Sequence, residues 1–336
     1  MSITMRKVIF AVLLLFAFWT LCSCTATNSE AYKKITIGVL SDVNSIPFIV
    51  AEEKGLYEAE GAEVEVKLFM SAVERDAAFQ AGEIDGCMSD IMAAALAIQN
   101  GFDVKITSVT DGDYVLLASD SSSIHTVQDF KNVEIGMSTN TIIEYAVDSI
   151  LASEGLKPDE IKKISIPKMP VRMEMLENGT LKGACIPQPL AAVAESKGAR
   201  VIATAKQAGL APSVMVFNTA SIIGNENEFK KMYRAYNKAV DMLNRDPEVL
   251  DETIIDKAKF PAEVKDVIKL PQYGEASPPD KKDVENVLKW MKEKGLLIID
   301  FKYEEMIYDS EMIFSCQPDM SYAHCFRMKG IMNDYS

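Results

Sequence analysis

Residues 82–101, GEIDGCMSDIMAAALAIQNG, return 97 positions later as GTLKGACIPQPLAAVAESKG, residues 179–198. The opening Gly, the Gly before the apolar run, the Ala-rich stretch and the closing Gly fall in step. Arg75 and Arg172 match at the same offset. A repeat of this length is too long for a stacked solenoid unit and has the size of half a domain pair. The chain must therefore fold as two similar bodies.

Each copy sits in a larger unit in which strand and helix patterns alternate. The first reads KITIGVL (34–40) as a strand, IPFIVAEEKGLYEAEG as a helix ending at a Gly, and AEVEVKLF as a strand. AVERDAAFQAG is then a helix, IDGCMS a buried strand, DIMAAALAIQNG a helix and VKITSV a strand. The second reads VEIGM (133–137) as a strand, TIIEYAVDSILASEG as a helix and IKKISI as a strand. VRMEMLENG, GACIP, PLAAVAESKG and ARVIAT continue the alternation. β-branched runs bounded by Gly, and apolar positions three and four apart, carry these assignments. The order implies α/β units with mainly parallel sheets. Ligands of such sheets bind beyond the carboxyl ends of the strands. Two facing units would share one cleft there. DYVLLAS (113–119) leads out of the first unit and APSVMVFNT (211–219) leads back, as a two-strand hinge. The expected division is 34–117 with 213–312 as lobe 1, 118–212 as lobe 2, and a tail over 313–336. The helical, amphipathic stretch after residue 225 is expected to cover lobe 1.

The N-terminus reads as an export segment. Arg6 and Lys7 precede an apolar run from Val8 to Trp19, shorter than the roughly 20 residues of a spanning helix. Leu21, Ser23 and Cys24 then resemble the bacterial lipobox, with an ordinary signal peptide that happens to hold a Cys as the alternative. On the lipobox reading residues 1–23 are a signal peptide, Cys24 carries a diacylglyceryl anchor and 24–33 form a tether. Two acyl chains suffice for stable anchoring. The site would be extracytoplasmic.

The whole chain carries a net charge of −14, and loss of residues 1–23 removes Arg6 and Lys7 but no acid, leaving −16. An acidic surface argues against nucleic acid as a partner. The chain has two histidines, His125 and His324, and no CxxC pair. No metal site, no cofactor and no catalytic set of residues is expected. Cys87 and Cys185 read as small core residues. Cys316 and Cys325 could pair in an oxidising compartment.

Candidate ligand contacts follow from the strand ends. Asn44, Ser45 and Phe48 lie in DVNSIPF, with Ser45 a cap, Pro47 in a first turn and Phe48 available to stack. Ser138, Thr139, Asn140 and Thr141 lie before a helix, where hydroxyls and free N–H groups suit an anion. Thr141 and Glu144 have capping-box spacing. Arg172 opens a helix, and its fork suits carboxylate or sulfonate; a solvated ion pair is the plainer alternative. Arg75, flanked by Glu74 and Asp76, reads as a structural pair. Ser89 and Asp90 end the third strand. Asp90 either caps the next helix or holds an amine. Thr110 and Asp111 end the fourth. These residues together suggest a small anion or zwitterion, or an amino-substituted pyrimidine.

The stretches PFIVAEEKGLYEAEGAEVEV, AVERDAAFQAGEIDGCMSD, TVQDFKNVEIGMSTNT and PVRMEMLENGTLKGACIPQPLAAVAESKGARVI resemble substrate-binding proteins of ABC importers of the nitrate/sulfonate/taurine type, a group that includes thiamine-pyrimidine binders. They cover roughly residues 34–215. The resemblance implies a two-lobed type II periplasmic-binding-protein fold, a small-molecule solute, an ABC permease as partner, a monomer and no catalysis. It also implies that Gln188 lines the cleft, where the family commonly has a Glu. The alternative that the resemblance leaves is a pyrimidine-synthase-like enzyme on the same fold, which would need His and Cys chemistry in the cleft.

Overall fold

The computed structural model describes residues 34–268 and 270–314. The signal peptide, Cys24, the tether, Cys316, Cys325 and His324 lie outside those residues. The expected tail begins two residues early, because Ile313 and Phe314 end a short helix, Ser310–Phe314, that packs on Tyr233 with ring centroids 5.1 Å apart.

The first unit runs β1 (Ile35–Leu40), α1 (Ile46–Glu53), β2 (Val64–Phe69), α2 (Ala72–Gln80), β3 (Gly86–Asp90), α3 (Ile91–Gln99) and β4 (Val104–Val109). The second runs β5 (Tyr114–Ala118), β6 (Glu134–Met137), α4 (Ile142–Ser153), β7 (Lys162–Ser165), α5 (Met169–Glu177), β8 (Gly183–Pro187), α6 (Leu190–Ser196) and β9 (Arg200–Thr204). β10 (Ser213–Asn218) follows, then α7 (Glu226–Arg245), α8 (Val264–Val267) and α9 (Lys281–Glu293). The long helix expected after residue 45 is two, because Gly55 in the left-handed region (φ 66°) stops α1 and a short turn of helix, Leu56–Ala59, follows.

Two five-stranded sheets result, ordered β2-β1-β3-β10-β4 and β7-β6-β8-β5-β9. The order is the same in both: second, first, third, a borrowed strand, fourth. The borrowed strand is antiparallel in each case, β10 against β3 and β4 and β5 against β8 and β9. The other four strands run parallel, so the fold is the expected two-lobed α/β architecture with mixed sheets. The two apolar runs that carry the chain between lobes are thus strands, each laid into the sheet it enters. The expected boundary at 117/118 falls inside β5, which pairs along its whole length with the second sheet. The crossings themselves are residues 110–113 and 205–212.

The repeated arginines explain why the two units match. Arg75 Nη1 donates to the Met88 carbonyl at 2.6 Å, and Arg172 Nη1 to that of Cys185 at 2.7 Å. Met88 and Cys185 are themselves repeat equivalents. Each guanidinium therefore ties the helix after the second strand to the carboxyl half of the third. A glycine in the first strand makes room. A Cβ on Gly38 would stand 3.4 Å from Arg75 Cγ and 2.5 Å from Ile84 Cδ1; on Gly136 it would stand 3.4 Å from Arg172 Cγ and 2.5 Å from Leu181 Cδ1. The glycines that open and close the repeat, Gly82 and Gly179, Gly101 and Gly198, all have positive φ, which side chains other than Gly adopt at a cost.

The C-terminal helices cover the first lobe but also reach the second. α7 packs through Phe229, Met232 and Tyr236 onto α1, with Phe48 and Tyr236 rings 4.6 Å apart. α9 lies against α3 and β4 through Val284, Leu288 and Met291, and Ile142 and Tyr145 of α4 join the same apolar cluster. Trp290 Nε1 donates to Asp148 Oδ2 at 3.0 Å, and Lys294 Nζ to Glu144 Oε1 at 2.8 Å. Lys163 pairs with Glu144 and Asp148. Burial pushes the Glu144 carboxyl up, but its bonds from Lys163, Lys294 and the Asn140 N–H outweigh this and hold it at about 2. Val193 of α6 packs into the first-lobe cluster beside Val264 of α8.

Replacement of Arg172 by Ala should cost about 2–4 kcal/mol of unfolding free energy, since it leaves buried carbonyl acceptors unmatched. Urea denaturation of the variant checks this; an unchanged midpoint would contradict the locking role.

Candidate functional site

The strand ends of both sheets and the two crossings converge on one region. The Thr110 N–H donates to the Ser213 carbonyl at 2.9 Å, that of Ile91 to Pro212 at 3.0 Å, that of Ala205 to Tyr114 at 2.8 Å, and that of Gln188 to Asp113 at 3.1 Å. Tyr114 touches apolar clusters of both lobes. β1 delivers its carboxyl end here too, through the segment 41–45.

In that segment Asp42, not Ser45, is the cap. Its Oδ1 accepts from the Asn44 N–H at 2.8 Å and from Asn44 Nδ2 at 2.6 Å. Ser45 Oγ instead donates to the Asp42 carbonyl at 2.7 Å. The Asn44 amide lies against Gly112, whose Cβ, were there one, would stand 2.3 Å from Nδ2 and 2.8 Å from Oδ1. This contact joins the end of β1 to the first crossing. Asn44 is 6% exposed and Thr110 3% exposed, yet Asn44 Oδ1 and Thr110 Oγ1 have no hydrogen-bond partner in the protein. An unmatched buried polar atom costs about 1–3 kcal/mol, and such atoms are rare in native folds.

Carboxylates gather around them. Asp111 Oδ2 accepts from the Gly274 N–H at 2.8 Å, and Asp113 Oδ1 from that of Lys206 at 3.0 Å. Asp90 Oδ1 accepts from the Ala93 N–H at 2.8 Å. Burial raises the pKa of all three. Burial pushes Asp42 up to about 6, against the opposing effect of its Asn44 bonds. Tyr273, whose hydroxyl donates to the Val43 carbonyl at 2.9 Å, feels the charges of Asp42 and Asp111. Tyr114 feels those of Asp90 and Asp42. The two phenols thus stand between the acids.

Most other expected contacts serve the scaffold. Arg172 is fully buried. Its Nε and Nη2 donate to the Ile166 carbonyl at 2.9 and 2.6 Å, and Nη2 to Ser138 Oγ at 2.5 Å. With Cys185 as well, it faces backbone on three sides and has no fork left for an anion. Ser138 is engaged by the same bond. Phe48 has no exposed surface and lies in the first-lobe core under Tyr236, because α1 turns that face inward. Asp90 caps α3. Ser89 lines a cavity of about 480 Å³ between α2 and α3, with Cys87, Phe79 and Phe102, on the flank of the lobe. Thr139 Oγ1 pairs with Ser165 Oγ at 2.9 Å. Thr141 caps α4 through Ile143 N at 3.2 Å, but Glu144 reaches the Asn140 N–H, at 2.6 Å, one residue before the capping-box position. Asn140 has φ 57°, which turns its N–H back toward Glu144. Gln188 Oε1 accepts from the Ala192 N–H at 3.2 Å and so starts α6. Arg75 is paired with Asp76 through Nε at 2.9 Å and Nη2 at 2.7 Å.

Asp42, Asp113, Tyr114 and Tyr273 were not among the residues singled out from the sequence. The Asp-Val-Asn spacing before a helix was a usable signal for Asp42. Tyr273 comes from a loop far along the chain and gave none. Cys87 and Cys185 are buried free thiols, and burial pushes both up to about 12. His125 is exposed and its backbone N–H bonds Asp129. No cluster of metal-ligating residues occurs among the described residues.

A family model described as the NMT1-like family matches residues 28–255. No curated protein matches the chain. Among solved structures, the periplasmic aliphatic sulphonate-binding protein SsuA of Escherichia coli aligns at 17% identity and a TM-score of 0.71, over 86% of this chain and 96% of that one. The alkanesulfonate-binding protein SsuA of Xanthomonas axonopodis pv. citri, bound to MOPS, aligns at 18% and 0.64, over 79% and 94%. The periplasmic nitrate-binding protein NrtA of Synechocystis PCC 6803 aligns at 15% and 0.59, over 79% and 82%. At these identities the likeness is one of fold.

The raised pKa of Asp42 has a testable sign. A carboxyl raised on folding contributes stability that is fully present below its unfolded pKa, near 3.8, and is lost as pH rises through about 6. Asp42→Asn should therefore be more stable than the parent at pH 7.5, by about 1–2 kcal/mol after allowance for the half-exposed carboxyl. The difference should close by pH 4. Melting curves across that range check it, and a variant less stable at every pH would contradict it.

Proposed function

The chain belongs to the NMT1-like family, and from that premise we propose that it is an extracytoplasmic, lipid-anchored solute receptor that delivers a small organic molecule to an ABC permease. The observation that carries this reading is the pair of buried, unpartnered acceptors, Asn44 Oδ1 and Thr110 Oγ1, placed where strand ends and crossings of two lobes meet. A solute seated there would supply the missing bonds and link both lobes. The sulfonate and nitrate receptors with the same fold support the receptor role. They do not carry their solutes over, since Arg172, the one cation proposed for an anion, is spent on the scaffold.

Catalysis is not part of the proposal. The enzyme alternative needs a histidine with a reactive thiol, and here the described thiols are buried, with ionisation pushed up to about 12. Among the described residues no helix is long and apolar enough to cross a membrane, and the lipobox-like Leu21–Cys24 supplies the attachment in this reading. The protein is taken to act as a monomer, without cofactor.

Two outcomes test it. Cys24→Ala should release the protein from the membrane fraction or stall its processing; equal membrane retention would sink the anchor. Thr110→Val removes a hydroxyl that has no protein partner. The unliganded variant should keep or gain stability, by about 1 kcal/mol, equivalent to roughly 2–4 °C in a chain of this size. A clear loss in the melting curve would mean that Thr110 serves the fold.

A further inference from the structure

The charge class of the solute can be read from donor and acceptor counting at the converged strand ends. Asn44 Nδ2 is fixed by Asp42 at 2.6 Å, so the face of the amide left over is Oδ1, an acceptor. Ionised carboxylates only accept. Asp42 keeps its second oxygen, and Asp111 keeps Oδ1 beside the Oδ2 bonded to Gly274. Thr110 Oγ1 can accept as well. The unsatisfied capacity of the group is thus for acceptors awaiting N–H or O–H donors.

Counter-charge from the protein is sparse. Arg75 is turned to Asp76 and the Met88 carbonyl, and its field reaches Asp90. Lys206 is exposed, with Nζ on the Gln272 carbonyl at 3.4 Å, and its field reaches Asp111. Around Asp42 the shift arises from burial and Asn44 alone; the groups that face it from other elements are the phenols Tyr114 and Tyr273. A buried carboxylate without a cation is costly, and two aromatic rings beside it suit a cation or a flat heterocycle.

We propose that this end of the cleft holds the cationic, N–H-donating end of the solute, an alkylammonium, amidine or amino-substituted heterocycle, with Asp42, Asn44 Oδ1, Thr110 Oγ1 and Asp111 as its acceptors. The inference rests on the receptor reading above and narrows it. It replaces the expectation of a sulfonate or nitrate anchored by Arg172. The solute can still carry a negative group elsewhere, toward the second lobe.

The test is calorimetric titration of the full folded chain with two sets of probes. One set is ethanolamine, agmatine and 4-aminopyrimidine; the other is methanesulfonate and nitrate. At least one amine-bearing probe should bind, and Asp42→Asn should weaken it tenfold or more while its own melting temperature at pH 7.5 does not fall. Asp111→Asn should weaken the same probe. Binding should also weaken as pH drops below about 6, where Asp42 takes up a proton. Binding of methanesulfonate or nitrate alone would overturn the charge class and leave the receptor standing. Amine binding indifferent to both variants would overturn the site. Failure of both probe sets would count against the receptor reading itself.

Discussion

Two buried guanidiniums, placed 97 residues apart, hold each lobe in its shape. Each reaches from the helix after the second strand to the carbonyl of the third, at 2.6 and 2.7 Å. A guanidinium suits the task because its donors lie in a rigid plane and can serve several carbonyls at once. The consequence reaches the cleft. The cations nearest the strand ends are consumed by backbone, and the acids that end β1, β3 and β4 are left without matching charge. Cleft electrostatics therefore follow from how the scaffold is built, and the site is acidic because the repeat used its arginines internally.

The second dependence is on the borrowed strands. β5 and β10 each complete the sheet of the lobe they enter, so each crossing starts and ends in a fixed strand. Residues 110–113 can then bring Thr110, Asp111 and Gly112 to the end of β1 with little freedom. Beyond the cleft, Tyr145 and Trp290 meet edge to face at 5.7 Å, and the Lys294–Glu144 pair lies beside them. These contacts link the second lobe to the helix that covers the first. Solute recognition at the crossings is thus coupled to how the lobes sit through α4 and α9.

The architecture was legible because it is repetitive. Strand and helix alternation, the glycine stops and the 97-residue offset gave two α/β units, and the matched strand orders agree. The site was less legible for a physical reason. Sequence pattern says that Arg172 opens a helix near a strand end, but not which way a long side chain turns, and here Gly136 provides the seat that draws it inward. Phe48 was lost in the same way, since an aromatic two residues into an amphipathic helix fits a core face as well as a cleft. Asp90 kept its plain capping role. Asn44 and Thr110 sit where the strand-end rule put them, while Tyr273 comes from a loop with no local signature and reaches the site only through tertiary packing.

The central claim is that the cleft selects a positively charged, N–H-donating group. The most direct measurement is native mass spectrometry of the protein released from its own cells' membranes, followed by identification of the small molecule freed on unfolding. The expected compound carries a basic or amino-substituted nitrogen and is missing from preparations of the Asp42→Asn, Asp111→Asn double variant. A sulfonate or nitrate without such a nitrogen, retained by that variant, would contradict the claim.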